Sequence, residues 1–509
     1  MTSPSTSDPA HPADPAPTRG RSAALLLAVI AASAIVAVGL GAAFGPHHQT
    51  VSTSQTGNER LADSIQSLPG SFDGFRSLSV AEIGPNGPVF AGIGDADPAH
   101  SGAPGPDTVF ELGSITKTFT GALFADAIER GEVSPDDPLS QYLDALTGTP
   151  AGAVTLASLS QHSSGLPGLG ETAVASTLES LLLNENPYAS TSTEQLIADA
   201  AVAPVDPDQG TVYSNFAVAL LGTALVEAAG VDDYATLLRE RLTEPLGMDH
   251  TVVAATADQV PEDAVPGYLL NGTRAPRWWG EGYLPAGSAT FTTASDLAIW
   301  AQANLDGTAP GAAALQPTAP MGTDTEIGWG WLTSPSFDGT GAQTWHNGAT
   351  GGFRTFLTLD LAAGTGFLIL SNSVAPVEDV VLAYATGSSI PGPDEASVIS
   401  GWLPFALAVL FGAIALIRAV RARSWLPSAS DLAWATFALL VLWISGPWFA
   451  VGGWVWGLAL APTLAAAAVL ILRAARGPRM PFLPARRAWL WWPLAIAGLA
   501  AAAGITVLW

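Results

Sequence analysis

Apolar positions along this chain follow three rhythms. Residues 1–22 hold no sustained apolar run and are rich in Pro, Ser, Thr and Ala, which predicts a disordered stretch. Ser22–Phe44 then runs 23 residues without a charge, enough for one membrane-spanning helix. A cleaved signal peptide would also be apolar there, but its apolar core is usually shorter, roughly 7–15 residues, so the segment reads as an uncleaved anchor. From about 61 to 390 the pattern alternates or takes helical spacing, as in a folded domain. After 398 it becomes continuously apolar. Val398–Ile417 is one expected span and Ala488–Leu508 is the last. Leu432–Leu472 holds 41 residues without an ionisable side chain. As one helix it would be roughly 60 Å long, about twice a bilayer's hydrocarbon thickness. It therefore reads as two spans turning at Gly452-Gly453 after Pro447. The expected divisions are a cytoplasmic tail (1–22), an anchor (23–45), a polar linker (46–60), a folded domain (61–390) and a four-helix membrane domain (398–509).

Within the folded domain, Ser77–Ile83 reads as a strand, Gly84-Pro-Asn-Gly87 as a turn and Val89–Ile93 as the returning strand. Ile115–Glu129 has helical spacing, with Phe119, Leu123 and Ala127 on one side. Residues 140–320 are mainly helical and loop-like. Thr355–Leu359 and Phe367–Leu370 form a second hairpin around Asp360–Gly366. Strands at both ends with helices between predict one sheet built from the two ends of the domain, with a helical insertion.

Charge sharpens this division. Residues 46–397 carry nine basic and 41 acidic side chains, which argues against a nucleic-acid partner. The remaining arginines flank the apolar runs: Arg19 and Arg21, then Arg418, Arg421 and Arg423, then five between Arg473 and Arg487. By the positive-inside rule those segments face the cytoplasm, which puts residues 46–397 outside. Eleven of the 17 Trp lie after residue 400, many near span ends, as an interfacial belt requires. No charged residue falls inside any of these spans, so nothing suggests an ion pathway. There is no cysteine, which excludes disulfides, thiolate catalysis and Cys-based metal sites. The seven His are scattered with no ligand pair at helical spacing, so neither a metal nor another cofactor is expected.

Eighteen of the 19 basic residues are Arg, and the single lysine is Lys117, in Glu111-Leu-Gly-Ser114-Ile-Thr-Lys117. A desolvated lysine can lose its proton, whereas arginine stays charged. A hydroxyl one helical turn before such an amine is a candidate activated nucleophile. Two more motifs follow. Tyr213-Ser214-Asn215 opens an apolar helical run, where Asn215 could be no more than a cap. Trp345-His346-Asn347-Gly348-Ala349 precedes the last hairpin, where it could be no more than a Gly-rich bulge.

Taken in order, Ser-x-x-Lys, Tyr-x-Asn and His-x-Gly resemble the serine beta-lactamase and penicillin-binding superfamily. The chain is most similar to its class C-related branch, which includes D-Ala-D-Ala carboxypeptidases and esterases. Leu159-Ser-Gln-His162-Ser-Ser-Gly-Leu-Pro167, Glu244–Met248 and Pro285–Leu297 match further landmarks of that branch. The resemblance covers about residues 65–375. It implies an α/β (α+β) fold of beta-lactamase/transpeptidase type, a mainly antiparallel sheet flanked by helices with a helical subdomain. Beyond it lies the helical transmembrane region.

The resemblance also implies an acyl-enzyme cycle. Ser114 would be the nucleophile, with Lys117 or Tyr213 as general base. Asn215 would hold Lys117 or a substrate amide, and His346 would stand in for the third-motif lysine and tune Tyr213. The N–H groups of Ser114 and Ala349 would form the oxyanion hole, with Gly348 allowing close approach. Arg354 would receive a substrate carboxylate or else be a surface charge, and His162 would be structural. The departure from Lys-Thr-Gly at His346-Asn347-Gly348 disfavours efficient beta-lactam hydrolysis. The expected function is a membrane-anchored extracytoplasmic serine hydrolase acting on D-amino-acid peptides or small esters and amides. The alternatives are a non-catalytic wall-peptide or beta-lactam sensor, or a weak beta-lactamase. Expected partners are a small-molecule or cell-wall peptide substrate and membrane lipid.

Overall fold

The computed structural model describes residues 19–97, 102–337, 339–392, 395–476 and 481. The span expected at Ala488–Leu508 lies outside them. The chain divides into two compact units, one formed by most of the long apolar helices and one centred on residues 46–403.

The second unit is organised by a nine-stranded sheet. Its strands are β1 (Gln55–Gly57), β2 (Ser77–Ile83), β3 (Val89–Gly94), β7 (Ala319–Pro320), β8 (Glu326–Ile327), β9 (Leu332–Pro335), β10 (Ala342–Ala349), β11 (Arg354–Asp360) and β12 (Thr365–Ser371). Their spatial order is β1-β3-β2-β12-β11-β10-β9-β8-β7, with every pairing antiparallel. The β2–β12 pair joins the two ends of the domain, as the alternation at each end predicted. β1 falls inside the expected linker, so the sheet starts earlier than composition suggests. A second sheet of β4 (Phe110–Glu111), β5 (Val252–Val253) and β6 (Thr290–Thr292) was not legible, because its strands are two or three residues long.

Both faces of the large sheet are covered, which is why β2 buries every side chain except Glu82. On one face Ala81, Ile83, Leu357, Leu359, Leu368 and Leu370 pack into the main core with Phe119 and Leu123 of the helix Thr116–Glu129. On the other, Val80, Phe356 and Ile369 meet Leu61 and Ile65 of Glu59–Gln66 and Val377 and Val380 of Val377–Thr386.

Among the described residues, four helices are long and apolar enough to cross a membrane: Ala24–Phe44, Ile399–Val420, Trp425–Ser445 and Trp454–Arg476. The break between the last two contains Pro447 and Gly452-Gly453, as expected. The second of the three C-terminal helices begins earlier than predicted, at Trp425, and so contains Asp431. The expectation that no charge lies within a span is corrected there. Asp431 accepts from Arg418 at 2.8 Å. Arg473 donates to the carbonyls of Val420 and Ala422 at 2.6 and 2.7 Å, closing the end of the first helix. Gly457 lets its helix run against the N-terminal one, since a Cβ there would stand 2.4 Å from the Ala37 carbonyl oxygen.

Candidate active site

Ser114 lies in a single 3₁₀ turn, Gly113–Ile115, that feeds directly into the helix Thr116–Glu129. Gly113 has φ +66°, and a Cβ on it would stand 2.6 Å from the Ala349 nitrogen. Across the gap, a Cβ on Gly348 would stand 2.1 Å from the Leu112 carbonyl oxygen. Only glycine at both places lets the turn carrying Ser114 press against the end of β10. Thr355, beside Gly348 on β11, ties the contact by donating its hydroxyl to the Leu112 carbonyl at 2.7 Å. The β9–β10 ladder stops at Trp345, so the strand segment His346–Ala349 runs past Ser114 beyond the last β9 pair.

Lys117 points back along its helix to Ser114, as spacing of three residues allows. Its Nζ donates to Ser114 Oγ at 2.9 Å and to the Ala286 carbonyl at 2.6 Å, and it lies 4.9 Å from the centre of the Tyr213 ring. The side chain is buried, and that desolvation lowers its pKa well below the ordinary lysine value. The Tyr213 hydroxyl bonds the Ser114 side chain. Desolvation raises its pKa above the usual phenol range, with the Ser114 bond acting in the opposite sense. The ring itself keeps an exposed edge at the protein surface. The lysine is thus biased towards its neutral form and the tyrosine is kept protonated.

His346 is buried on the same face of β10 as Gly348. Its Nδ1 is 2.6 Å from the Asn347 carbonyl, which can only accept, so Nδ1 carries the hydrogen and Nε2 is left as an acceptor. Its pKa falls to about 3, chiefly through burial and then through the neighbouring Lys117, against the Asn347 bond, which raises it. Burial is the larger cause, and it acts whether or not Lys117 holds its proton.

Asn215 is the first residue of the helix Asn215–Ala229 but not its cap. Ser214 caps it, accepting from the Ala217 N–H at 2.9 Å. Asn215 instead reaches Tyr188, while its Oδ1 is buried without a partner. The hydrogen bonds of the Lys117 amine go to Ser114 and Ala286, so the expected Asn215–Lys117 contact is not the one formed.

Arg354 pairs with Ala349 across the ladder and shares a sheet face with Phe356, the face opposite Gly348 and Thr355. That face carries the helix Val377–Thr386, whose Glu378 is its electrostatic neighbour. The residue expected to receive a substrate carboxylate therefore lies on the far side of the sheet from Ser114. Register decides this, because adjacent strand residues face opposite ways.

Three further groups shape the site. His162 adopts a left-handed backbone (φ 57°), lies with its ring tilted 39° to that of Tyr213 at 4.5 Å between centres, and accepts the Ser214 N–H at 3.2 Å. Those two contacts buttress Tyr213 directly. The Ala286 carbonyl sits in a matched landmark to which no role was given. Glu111, three residues before Ser114, is buried and accepts the Trp278 N–H at 3.1 Å. Desolvation raises its pKa to about 7, against the Thr350 hydroxyl, the Trp278 N–H and the Arg277 charge. A carboxyl beside the Ser-x-x-Lys turn is visible in the sequence, but its burial is not.

An antiparallel sheet, a helical insertion and a serine–lysine–tyrosine cluster at their junction define the beta-lactamase/transpeptidase class of fold. The family model described as beta-lactamase matches residues 66–388, and the chain belongs to that family. It is 29% identical over 254 residues to a beta-lactamase of Escherichia coli (strain K12), covering 47% of this chain and 57% of that protein. It is 30% identical over 195 residues to the D-alanyl-D-alanine-carboxypeptidase/endopeptidase AmpH of the same organism, covering 36% of this chain and 47% of that one. The chain thus spans about half the length of these curated relatives. Among solved structures, a beta-lactamase/D-alanine carboxypeptidase from Pseudomonas syringae superposes with a TM-score of 0.52 at 21% identity, covering 61% of this chain and 92% of that one. A class C beta-lactamase from Rhodobacter sphaeroides gives 0.51 at 22%, covering 61% and 93%. At that identity the two structures show the shared fold.

Proposed function

We propose that this chain is a membrane-anchored, extracytoplasmic serine hydrolase that works through an acyl-enzyme on D-amino-acid peptides or small esters and amides. The observation that carries this is the 2.9 Å bond between a nucleophile-grade hydroxyl, Ser114 Oγ, and a buried lysine biased to neutrality. In the first half-reaction Ser114 Oγ bonds to the substrate carbonyl carbon while its proton passes to Lys117 Nζ. The bond to the leaving nitrogen or oxygen then breaks, and Tyr213 relays the proton to that atom. Water next adds to the acyl carbon, the acid is released and Ser114 regains its hydrogen. Of the two candidate bases, the directions of the shifts favour Lys117, since the tyrosine hydroxyl is held protonated.

The remaining residues fit positions around that step. The N–H groups of Ser114 and Ala349 would hold the developing oxyanion; losing one such donor typically costs about 3 kcal/mol of barrier. The unpartnered Asn215 Oδ1 would accept a substrate amide N–H. His346 Nε2, with no formal charge, would orient the Tyr213 hydroxyl rather than anchor an anion. The arginine distribution around the apolar helices supports an outward-facing hydrolase, in reach of wall peptides and secreted or lipid esters.

The test is labelling with a fluorophosphonate probe, with the modified peptide mapped by mass spectrometry. Covalent label on Ser114, absent in Ser114→Ala, is expected. A folded protein that stays unlabelled would instead favour a module that only binds.

A further inference from the structure

We propose that the turn Trp443–Gly453, between the second and third C-terminal apolar helices, is a working part of the hydrolase. It seats the hairpin Tyr268–Arg274, and that hairpin backs the turn carrying the oxyanion donor Ala349. The C-terminal helices would then set the geometry of the active site as well as anchor the chain. This goes beyond the acyl-enzyme reading above and rests on it.

The turn Trp443–Gly453 belongs to the same compact unit as residues 46–403. Trp448 is fully buried there, and its Nε1 donates to the Trp443 carbonyl at 2.8 Å. The same carbonyl accepts Asn271 Nδ2, from the tip of the hairpin, at 3.3 Å. Asn271 is itself buried. Its Oδ1 accepts the Thr273 N–H at 3.0 Å and its carbonyl accepts the His47 N–H at 2.9 Å. Such a buried amide needs a partner for its Nδ2, and the turn supplies one. A second tie runs through His48, whose Nδ1 donates to the Trp448 carbonyl at 3.1 Å while its Nε2 lies 3.0 Å from Asp73.

From the tip, the hairpin leads to the site. Tyr268 and Arg274 pair across it, and the Leu269 N–H donates to the Thr273 carbonyl at 2.9 Å. Its base meets the end of β10. The Tyr268 N–H donates to the Gly352 carbonyl at 3.2 Å, and a Cβ on Gly352 would stand 2.7 Å from the Gly267 Cα. With no side chain between these two backbones, a shift of the hairpin passes straight to residues 349–353. The Thr350 N–H closes that turn on the Phe353 carbonyl at 3.2 Å, and Ala349 at its start faces the Ser114 turn. The arginine distribution agrees: with Arg418–Arg423 in the cytoplasm, the turn after the next helix falls on the outer side, where the hydrolase is proposed to lie.

The experiment uses the full chain in detergent and two variants, Asn271→Asp and Trp448→Phe. The first keeps the acceptor for the Thr273 N–H and removes the donor to Trp443. The second removes the indole N–H that holds the same carbonyl. On a p-nitrophenyl ester each should lower kcat by at least about tenfold and change KM by less than about twofold, because a displaced oxyanion donor weakens transition-state binding. Fluorophosphonate labelling of Ser114 should slow in parallel. The double variant should lose no more than the worse single one, since both act through the Trp443 carbonyl. Wild-type kcat in both variants, even with a lowered Tm, overturns this inference and leaves the acyl-enzyme reading standing. So does a loss confined to KM, or losses that add. If the wild-type chain carries no label on Ser114, both fall together.

Discussion

The Lys117 amine donates to the Ala286 carbonyl at 2.6 Å, across 169 positions of sequence. That bond, with the one to Ser114, holds the only lysine of the chain in a buried pocket where carrying a charge is costly. A guanidinium in the same place could not give up its proton. Lys117→Arg should therefore lower kcat/KM on a p-nitrophenyl ester by at least about 100-fold, the low end for general base catalysis. Circular dichroism would confirm that the variant folds. Near-native turnover would remove Lys117 from the chemistry.

Gly113 makes a second test, one that leaves every polar group of the site in place. At φ +66° and with Ala349 so near, an added methyl must push the Ser114 turn away from β10. Gly113→Ala is expected to lose about 100-fold or more in acylation, comparable to losing one oxyanion donor. Its Tm should fall as well. Wild-type rates of fluorophosphonate labelling in this variant would show that Ala349 contributes nothing.

The pH dependence of activity distinguishes two buried groups. His346 titrates at about 3, far below neutrality, so its ionisation should leave no inflection in kcat/KM between pH 5 and 8. Glu111, next to the Ser114 turn, titrates at about 7. Any inflection near pH 7 should vanish in Glu111→Gln and persist in His346→Gln. The opposite pattern would mean that His346 is the group exposed to protonation at working pH.

Stability should follow Glu111 with a definite sign. Its folded pKa lies above the ordinary carboxyl value of 4.5, so the folded state binds this proton more tightly than the unfolded chain. The contribution is fully present below pH 4.5 and is lost as pH rises through about 7. It amounts to about 3 kcal/mol at most. Tm measured from pH 4.5 to 8 should decline more steeply for wild type than for Glu111→Gln. Parallel curves would place the Glu111 carboxyl in contact with water.

Topology can be tested without background, since the chain has no cysteine. Asp208 and Arg423 are both exposed, one within the beta-lactamase-family unit and one between two apolar helices. With the hydrolase outside, an impermeant thiol reagent on intact cells should label Asp208→Cys and spare Arg423→Cys. The reverse pattern would put the hydrolase in the cytoplasm.

The sequence by itself determined what is local. Uncharged runs longer than a bilayer is thick mark the apolar helices, and the turn at Gly84–Gly87 with its flanking alternation marks a hairpin. Spacing of three residues on a helix start puts Ser114 and Lys117 within reach of each other, whatever the rest of the chain does. The tertiary structure decided what depends on distant partners. It chose the Ala286 carbonyl over Asn215 as the second acceptor for Lys117, and Ser214 over Asn215 as the helix cap. It set the β10–β11 register that turns Arg354 away from Ser114, a one-residue matter that composition does not encode. It brought His162 onto the Tyr213 ring and closed water off from Glu111 and His346. Burial of that kind is a property of the assembled core, and it is what moves those groups' protons.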